Sequence, residues 1–398
     1  MTAMSDLRSA PKRSSLWQNE FARSIILQVL VVAAVVALSL FLIHNTTINL
    51  QKRGITSGFG FLDGIAGFDI SITLIPYTLQ SSYGRAFLVG LLNTLLVSAI
   101  GIVIATVIGF VVGVARLSRN FLVAKLAAIY VDIVRNIPLL AQIVFWYFGV
   151  LSALPSVRES GQHPILEVFF LNSRGVYMPA PILQPGFWIL PAALVLGIVG
   201  AVALGRWAHR RQEATGQQFP TFWAGLALIV GLPLLVGLIG GFHMVFSVPE
   251  LKGFNFVGGM VVLPEFVAIL LALSIYSAAF IAEIVRGGVQ AISHGQTEAA
   301  YALGLRPGLT TRLVILPQAL RIIVPPLTSQ YLNLTKNSSL AVVIGYPELV
   351  SVFMGTVLNQ TGQAVEVIAI TMGVYLVISL SISAFMNWYN RRIALVER

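Results

Sequence analysis

Residues 298 to 317 read EAAYALGLRPGLTTRLVILP. The stretch sets Glu298, Ala299 and Ala300 ahead of Gly304, and closes on Leu316 and Pro317. It pairs no nucleophile with a base, so the chemistry open to it is recognition. A carboxylate is presented beside side chains slim enough to let another backbone approach. A helix is expected to resume near Gln296, placing Glu298 in a first turn where the helix dipole favours negative charge. Ala299, Ala300 and Ala302 are strong helix formers. Gly304 suits a left-handed stop, and Pro307 makes continuation in register unfavourable. A second short helix is expected from Thr310 to Ile315, with Pro317 starting the next long one. Two readings stay open on the residues alone. The stretch docks into a partner's groove, or it is an amphipathic connector resting on lipid headgroups.

A second candidate is Lys336, in YLNLTKNSSL, read as the only full charge within a span, Arg321 being assigned to the cytoplasmic start of the same run. Asn333 and Asn337 share its helix face. A cation among amide donors suits a carboxylate, and an intramembrane ionisable group is a functional candidate. Two structural readings compete: the side chain snorkels to the outer headgroups, or it pairs at a subunit interface. Glu283 and Arg286, three apart, are expected to pair on one helix face, as are Asp132 and Arg135. Pro138 starts or kinks a helix. The five histidines, His44, His163, His209, His243 and His294, show no metal-ligand spacing. Phe145 to Phe148 read as an interfacial or core aromatic cluster, and the glycines at 90, 101, 109 and 113 as helix-packing positions. No cysteine is present. Neither a metalloprotease nor a serine-hydrolase motif occurs, and there is no phosphate-binding G-x-x-x-x-G-K-[ST] loop.

The elements that hold these residues are set by composition. Of 398 residues, 57% are hydrophobic and 10% charged, against about 25% charged in soluble domains. Most of the surface must therefore face lipid. Eight runs are long enough to cross a bilayer: 25–43, 88–115, 136–154, 187–205, 221–243, 262–285, 318–341 and 364–387. This reading places no Asp or Glu inside the spans, with Glu265 and Glu283 at the boundaries of the sixth. The first run reads as a retained anchor helix, not a cleaved signal. With the N-terminus in the cytoplasm, 18 of the 25 lysines and arginines fall inside and 6 outside, Lys336 being the remaining one. That bias sets the orientation and puts both termini in the cytoplasm. The net charge of +10 fits loops facing anionic lipid and gives no reason to expect nucleic acid.

The stretch from Glu298 to Pro317 resembles the Glu-Ala-Ala signature of permease subunits of binding-protein-dependent ABC importers. In that signature Gly follows after three residues and Leu-Pro closes the pattern, with Val314 here in the usual isoleucine place. The flanks GLLNTLLVSAIGIVIATVIGFVVGVARLS, VRNIPLLAQIVFWYF, VILPQALRIIVPPL and LTKNSSLAVVIGYPEL resemble the polar amino acid branch. The resemblance implies an all-α polytopic membrane protein with about eight transmembrane helices. These would be a five-span type I importer core, an N-terminal anchor and a two-span insertion, as in the larger permeases of general L-amino acid importers. The segments are a cytoplasmic 1–24, the anchor 25–43, core 84–154, insertion 155–261, and core 262–390 containing coupling helices at 286–317. The resemblance implies that Glu298, Ala299, Ala300, Gly304, Leu316 and Pro317 couple the spans to a cytoplasmic ATP-binding cassette subunit, present in two copies. It further implies a second, non-identical permease, a periplasmic amino-acid-binding protein, surrounding membrane lipids and a bacterial inner-membrane location. Lys336, Asn333 and Asn337 are expected along the substrate path. No cofactor is expected on this chain, ATP being held by the partner. The alternative is an amino acid transporter driven by an ion gradient, which would show acidic residues or broken helices at mid-membrane.

Overall fold

Charge-free runs in lipid have one economical solution, the α-helix, which satisfies every backbone polar group within the segment. A computed structural model bears this out and describes residues 20–52, 58–162, 165, 166, 168–182, 187–240 and 245–393. The expected cytoplasmic segment lies outside the described residues as far as residue 19, as do Arg8, Lys12, Arg13, Arg53, His163, His243 and Arg398. The main helices are α1 (Glu20–Lys52), α2 (Tyr83–Ala115), α3 (Phe121–Asn136), α4 (Leu139–Leu151) and α5 (Val157–Gln162). They continue with α6 (Ile189–Thr215), α7 (Thr221–Ile239), α8 (Pro264–Gln290), α9 (His294–Ala302), α10 (Leu316–Asn337) and α11 (Ala364–Ile393). Among the described residues, six helices are long and apolar enough to cross a membrane, and α3 with α4 makes a seventh if the bent pair is one span. The expected eighth, 318–341, is helical as α10 but falls outside that set. It carries Arg321, Lys336 and the internal prolines Pro325 and Pro326.

The chain divides into two compact units, 1–91 with 349–378, and 92–348 with 379–398. In the first, the segment after α1 folds on itself. Phe353 sits fully buried among Leu349, Val357 and Val367, with the Phe87 ring edge-on at 5.2 Å. Glu366, in the first turn of α11, is 8% exposed and accepts a 2.7 Å hydrogen bond from the Gly58 amide. The reading that no carboxylate lies within a span is corrected here: Glu366 is inside 364–387, where a backbone donor compensates its burial.

In the second unit, α8 is the central helix, lined by Ala268, Ala272, Ser274, Ala278, Ala282 and Gly288. Small side chains let helices approach where no hydrophobic effect drives them together. At Gly113 of α2, an added Cβ would lie 2.8 Å from the Ala282 carbonyl oxygen and 2.7 Å from Val285 Cβ. Gly205 of α6 has nothing within 4 Å. Gly113→Ala should therefore destabilise the protein by about 1–3 kcal/mol through overpacking. Gly205→Ala should be neutral or stabilising by up to about 1 kcal/mol, since glycine is the poorer helix former. Thermal unfolding in detergent reads both, and equal shifts would remove the packing argument.

The third span departs most from expectation. It begins at Phe121, not near 136, and turns by 104° between α3 and α4. Ile137, before Pro138, adopts extended backbone (φ −96°, ψ 127°), as a residue preceding proline prefers. The carbonyls freed at this corner, Val134 and Ile137, are both satisfied by the buried Gln142 amide at 2.9 and 3.0 Å. Asp132 and Arg135 form no ion pair. Arg135 instead lies over the Phe280 ring at 5.0 Å.

The outer arms of the insertion fold together. Strands β1 (Phe170–Asn172), β2 (Gly175–Met178), β3 (Ala180–Pro181), β4 (Phe246–Ser247), β5 (Glu250–Lys252), β6 (Asn255–Val257) and β7 (Met260–Val262) come from both arms. The order β1-β2-β7 forms an antiparallel sheet, and β3-β4 and β5-β6 are pairs. Val157, Phe170, Tyr177 and Phe256 make a small core beneath it. Ser156 and Glu159 close a reciprocal cap at the start of α5 (2.8 and 3.4 Å). The Ser156 amide and hydroxyl hold the Glu159 carboxyl below its usual value. The basic segment after the expected span 187–205 is itself largely helical. α6 continues to Thr215 and stops at Gly216 in left-handed backbone.

Candidate functional site

Ser293 caps α9, its hydroxyl accepting from the Gly295 amide at 3.3 Å. The helix therefore starts two residues earlier than expected, and Glu298 lies past the first turn, which holds no acidic residue. Its position owes nothing to the dipole. Glu298 and Ala299 are exposed, and Ala300 is buried at 3%. Tyr301 and Leu303 stand 47% and 82% exposed beside them. Among the described residues the Glu298 carboxylate has no ion pair. α9 thus turns one slim position inward and offers a carboxylate flanked by apolar groups outward.

Gly304 behaves as read. Its φ is +78°; its amide donates to the Tyr301 carbonyl at 2.9 Å, and the Leu305 amide donates to Ala300 at 3.1 Å. These two bonds are the Schellman closure of a helix C-terminus. A Cβ at Gly304 would meet nothing within 4 Å, so the requirement is conformational alone. Left-handed backbone costs other residues roughly 1–2 kcal/mol, least for Asn. Uptake should therefore fall in the order Gly304, Gly304→Asn, Gly304→Ala, Gly304→Val. A valine variant as active as the parent would show that the turn does not matter.

The second short helix is corrected. Pro307–Thr310, a wide π turn at Thr311–Ile315 and α10 form one continuous helical run, every junction residue being right-handed helical. Pro317 cannot donate to the carbonyl four residues back, and the widened turn absorbs the mismatch. The Thr310 and Thr311 hydroxyls donate to the Arg306 and Pro307 carbonyls at 3.2 and 3.0 Å. Leu316 and Pro317 are therefore the first residues of α10 within one continuous helical run. Gln318 Nε2 donates to Gln296 Oε1 at 3.1 Å, tying α9 back to the start of α10. The Ser293 cap was missed in the sequence, where a serine just ahead of a helix is the signal that could have found it. The glutamine pair carried no such signal.

Beneath this surface, Glu283 pairs with Arg286 as expected and also with Arg116 at the end of α2. One carboxylate thus pins α2 to α8. Thr106 Oγ1 meets the Tyr331 hydroxyl at 3.0 Å, linking α2 to α10. The Tyr147 hydroxyl donates to Glu265 Oε1 at 2.8 Å, so Glu265 holds α4 to α8 and is more than a boundary residue.

Lys336 lies in the last turn of α10. It is exposed, as are Asn333 and Ser329 one and two turns before it, while Asn337 is half-buried. Among the described residues the Lys336 ammonium has no ion pair. The structure thus forms a polar stripe of Ser329, Asn333 and Lys336 on one face of α10. The helical run from Pro307 to Asn337, about 45 Å long, carries Leu316 and Pro317 at one end and the Lys336 stripe towards the other. Glu348 is a buried carboxylate that the sequence reading passed over, 0% exposed.

Residues 214–395 match the family described as binding-protein-dependent transport system inner membrane component. The chain is 54% identical over 386 residues to the general L-amino acid transport system permease protein AapQ of Rhizobium johnstonii, covering 97% of this chain and 96% of that protein. It is 55% identical over 395 residues to the putative amino-acid ABC transporter permease protein YhdX of Escherichia coli, covering 99% and 100%. It is 45% identical over 406 residues to the glutamate/glutamine/aspartate/asparagine transport system permease protein BztB of Rhodobacter capsulatus, covering 94% and 95%. A chain from the crystal structure of an amino acid ABC transporter with histidines aligns with TM-score 0.46 and 21% identity over 78% of this chain and 95% of that one.

Proposed function

The chain belongs to the family of binding-protein-dependent transport system inner membrane components, and from that premise we propose how its residues move amino acids across the bacterial inner membrane. It is a permease subunit of an ATP-driven importer. The reading rests on one observation above all: α9 ends in a Schellman turn and presents an unpaired Glu298 at the head of a continuous lever into α10.

Glu298, Ala299 and Ala300 seat against a separate ATP-binding subunit, with Gly304 fixing the angle and Leu316 and Pro317 transmitting the displacement. Two such subunits hydrolyse ATP, since the chain has no phosphate-binding loop of its own. Core segments 84–154 and 262–390 line the path with a second permease, and a periplasmic amino-acid-binding protein delivers substrate. The 18-to-6 lysine and arginine bias supports an orientation with both termini cytoplasmic. The stripe of Ser329, Asn333 and Lys336, with Asn337, lines the substrate path. A free ammonium with amide neighbours is unsuited to lipid and suited to an α-carboxylate. The relatives named above carry amino acid transport in their names, which supports L-amino acids as the substrate class.

The ion-gradient alternative gains a broken helix at residues 137–138 and a buried Glu366. A relative matching along nearly the whole chain is named as an amino-acid ABC transporter permease, which supports the ATP-driven reading over it. Co-expression with the neighbouring subunits, purification in detergent and assay of ATPase activity with and without amino acid and binding protein tests the proposal. An ATP-binding subunit should co-purify, and its activity should rise with loaded binding protein. A chain that purifies alone and moves amino acids on an ion gradient would overturn it.

A further inference from the structure

Helix α6 is 27 residues long, about 40 Å at 1.5 Å per residue. The hydrocarbon core is about 30 Å thick, so the excess stands in the headgroup layer. The apolar stretch gives way at Gly205, and Arg206, His209, Arg210 and Arg211 follow on further helical turns. Among the described residues the one carboxylate paired with any of them is Glu213, engaged by His209 at 3.5 Å. Arg206 and Arg210 are exposed, and among the described residues their side chains have no ion pair or hydrogen bond.

Arg211 is held differently. Its guanidinium lies over the Trp207 ring at 5.4 Å and donates to Gln217 Oε1 at 3.0 Å. Trp207 is braced edge-on by Phe219 at 5.5 Å. Across the connection, Phe222 and Trp223 are 70% and 69% exposed. Aromatic rings with this exposure at a helix end mark the level of the membrane interface. The tip therefore combines an aromatic collar at headgroup depth with unneutralised guanidiniums just beyond it.

We propose that the tip between α6 and α7 is a binding site for the phosphate of anionic phospholipid headgroups. Arg206 and Arg210 supply free charge. Arg211, stacked on Trp207, offers a pre-oriented fork that matches phosphate oxygens. An acidic protein partner would satisfy the charge but would leave the collar without a purpose. The insertion then serves as an arm that fixes the permease to anionic lipid.

The test is lipid retention by the full-length protein in detergent, read by native mass spectrometry with phosphatidylglycerol and phosphatidylcholine at equal concentration. Phosphatidylglycerol should be retained preferentially. Arg210→Gln should weaken it about fivefold, the worth of one basic residue near an anionic surface, and adding Arg206→Gln and Arg211→Gln should remove the preference. Arg174→Gln, the same charge change on the exposed turn between β1 and β2, should alter nothing. Equal retention of both lipids, an unaffected triple variant, or the same loss in Arg174→Gln would each overturn the site. Displacement by soluble glycerol phosphate would also overturn it, in favour of a free-phosphate site.

Discussion

Glu298→Lys should leave the permease folded and in the membrane, and should abolish uptake. The position is exposed, and among the described residues no ion pair depends on it, so the fold should lose nothing. What changes is the outward face of α9. A basic group now stands where a basic group of the ATP-binding subunit should pair, and attraction becomes repulsion. Removing one partner of a desolvated interfacial charge pair costs about 2–5 kcal/mol, about 30-fold or more in affinity, and charge reversal adds to that. ATPase activity should then no longer respond to loaded binding protein. Uptake measured in cells alongside membrane abundance of the protein decides the matter. Wild-type uptake would remove Glu298 from the coupling surface. Ala300→Leu makes a steric counterpart, because Ala300 is buried at 3% beneath that face.

The second large effect belongs to Lys336→Met. Methionine keeps a linear side chain and discards the charge. The stripe remains, with Asn333 and Ser329 exposed beside it, so assembly should persist. A hydrogen bond to a charged group contributes about 1.5–3 kcal/mol, which puts the loss of transport at about 10- to 100-fold. Lys336→Arg keeps the charge with a different donor geometry and should recover part of the rate. Two outcomes exclude a place on the path: unchanged uptake, or a complex that no longer assembles.

Much of this was legible because it is local. Gly304 ends a helix by its own backbone freedom, and its φ of +78° follows from the residue type and the alanines before it. The long apolar runs became helices because lipid leaves no other hydrogen-bond partner for the backbone. Departures arose where distant residues decide. Nothing near Arg116 announces Glu283, 167 residues away. Pro138 advertised a break, but the 104° corner also needs the Gln142 amide to satisfy the freed carbonyls. The outer strands are two to four residues long, too short for an alternating pattern, and two of their pairings, β2 with β7 and β3 with β4, join opposite ends of the insertion. The π turn at Thr311–Ile315 follows from Pro317, yet the same proline read equally well as the start of a new helix.

In the coupling proposed above, α9 touches an ATP-binding subunit. The chain has no cysteine, so Ala299→Cys places one thiol on the exposed face without ambiguity. Oxidative cross-linking in membrane vesicles, against single cysteines on the co-expressed ATP-binding subunit, tests the contact directly. A cross-linked product of the two subunits should form and ATP-driven uptake should be lost, both reversed by reductant. A thiol that never cross-links to that subunit, in vesicles that still import amino acid on ATP, would contradict it.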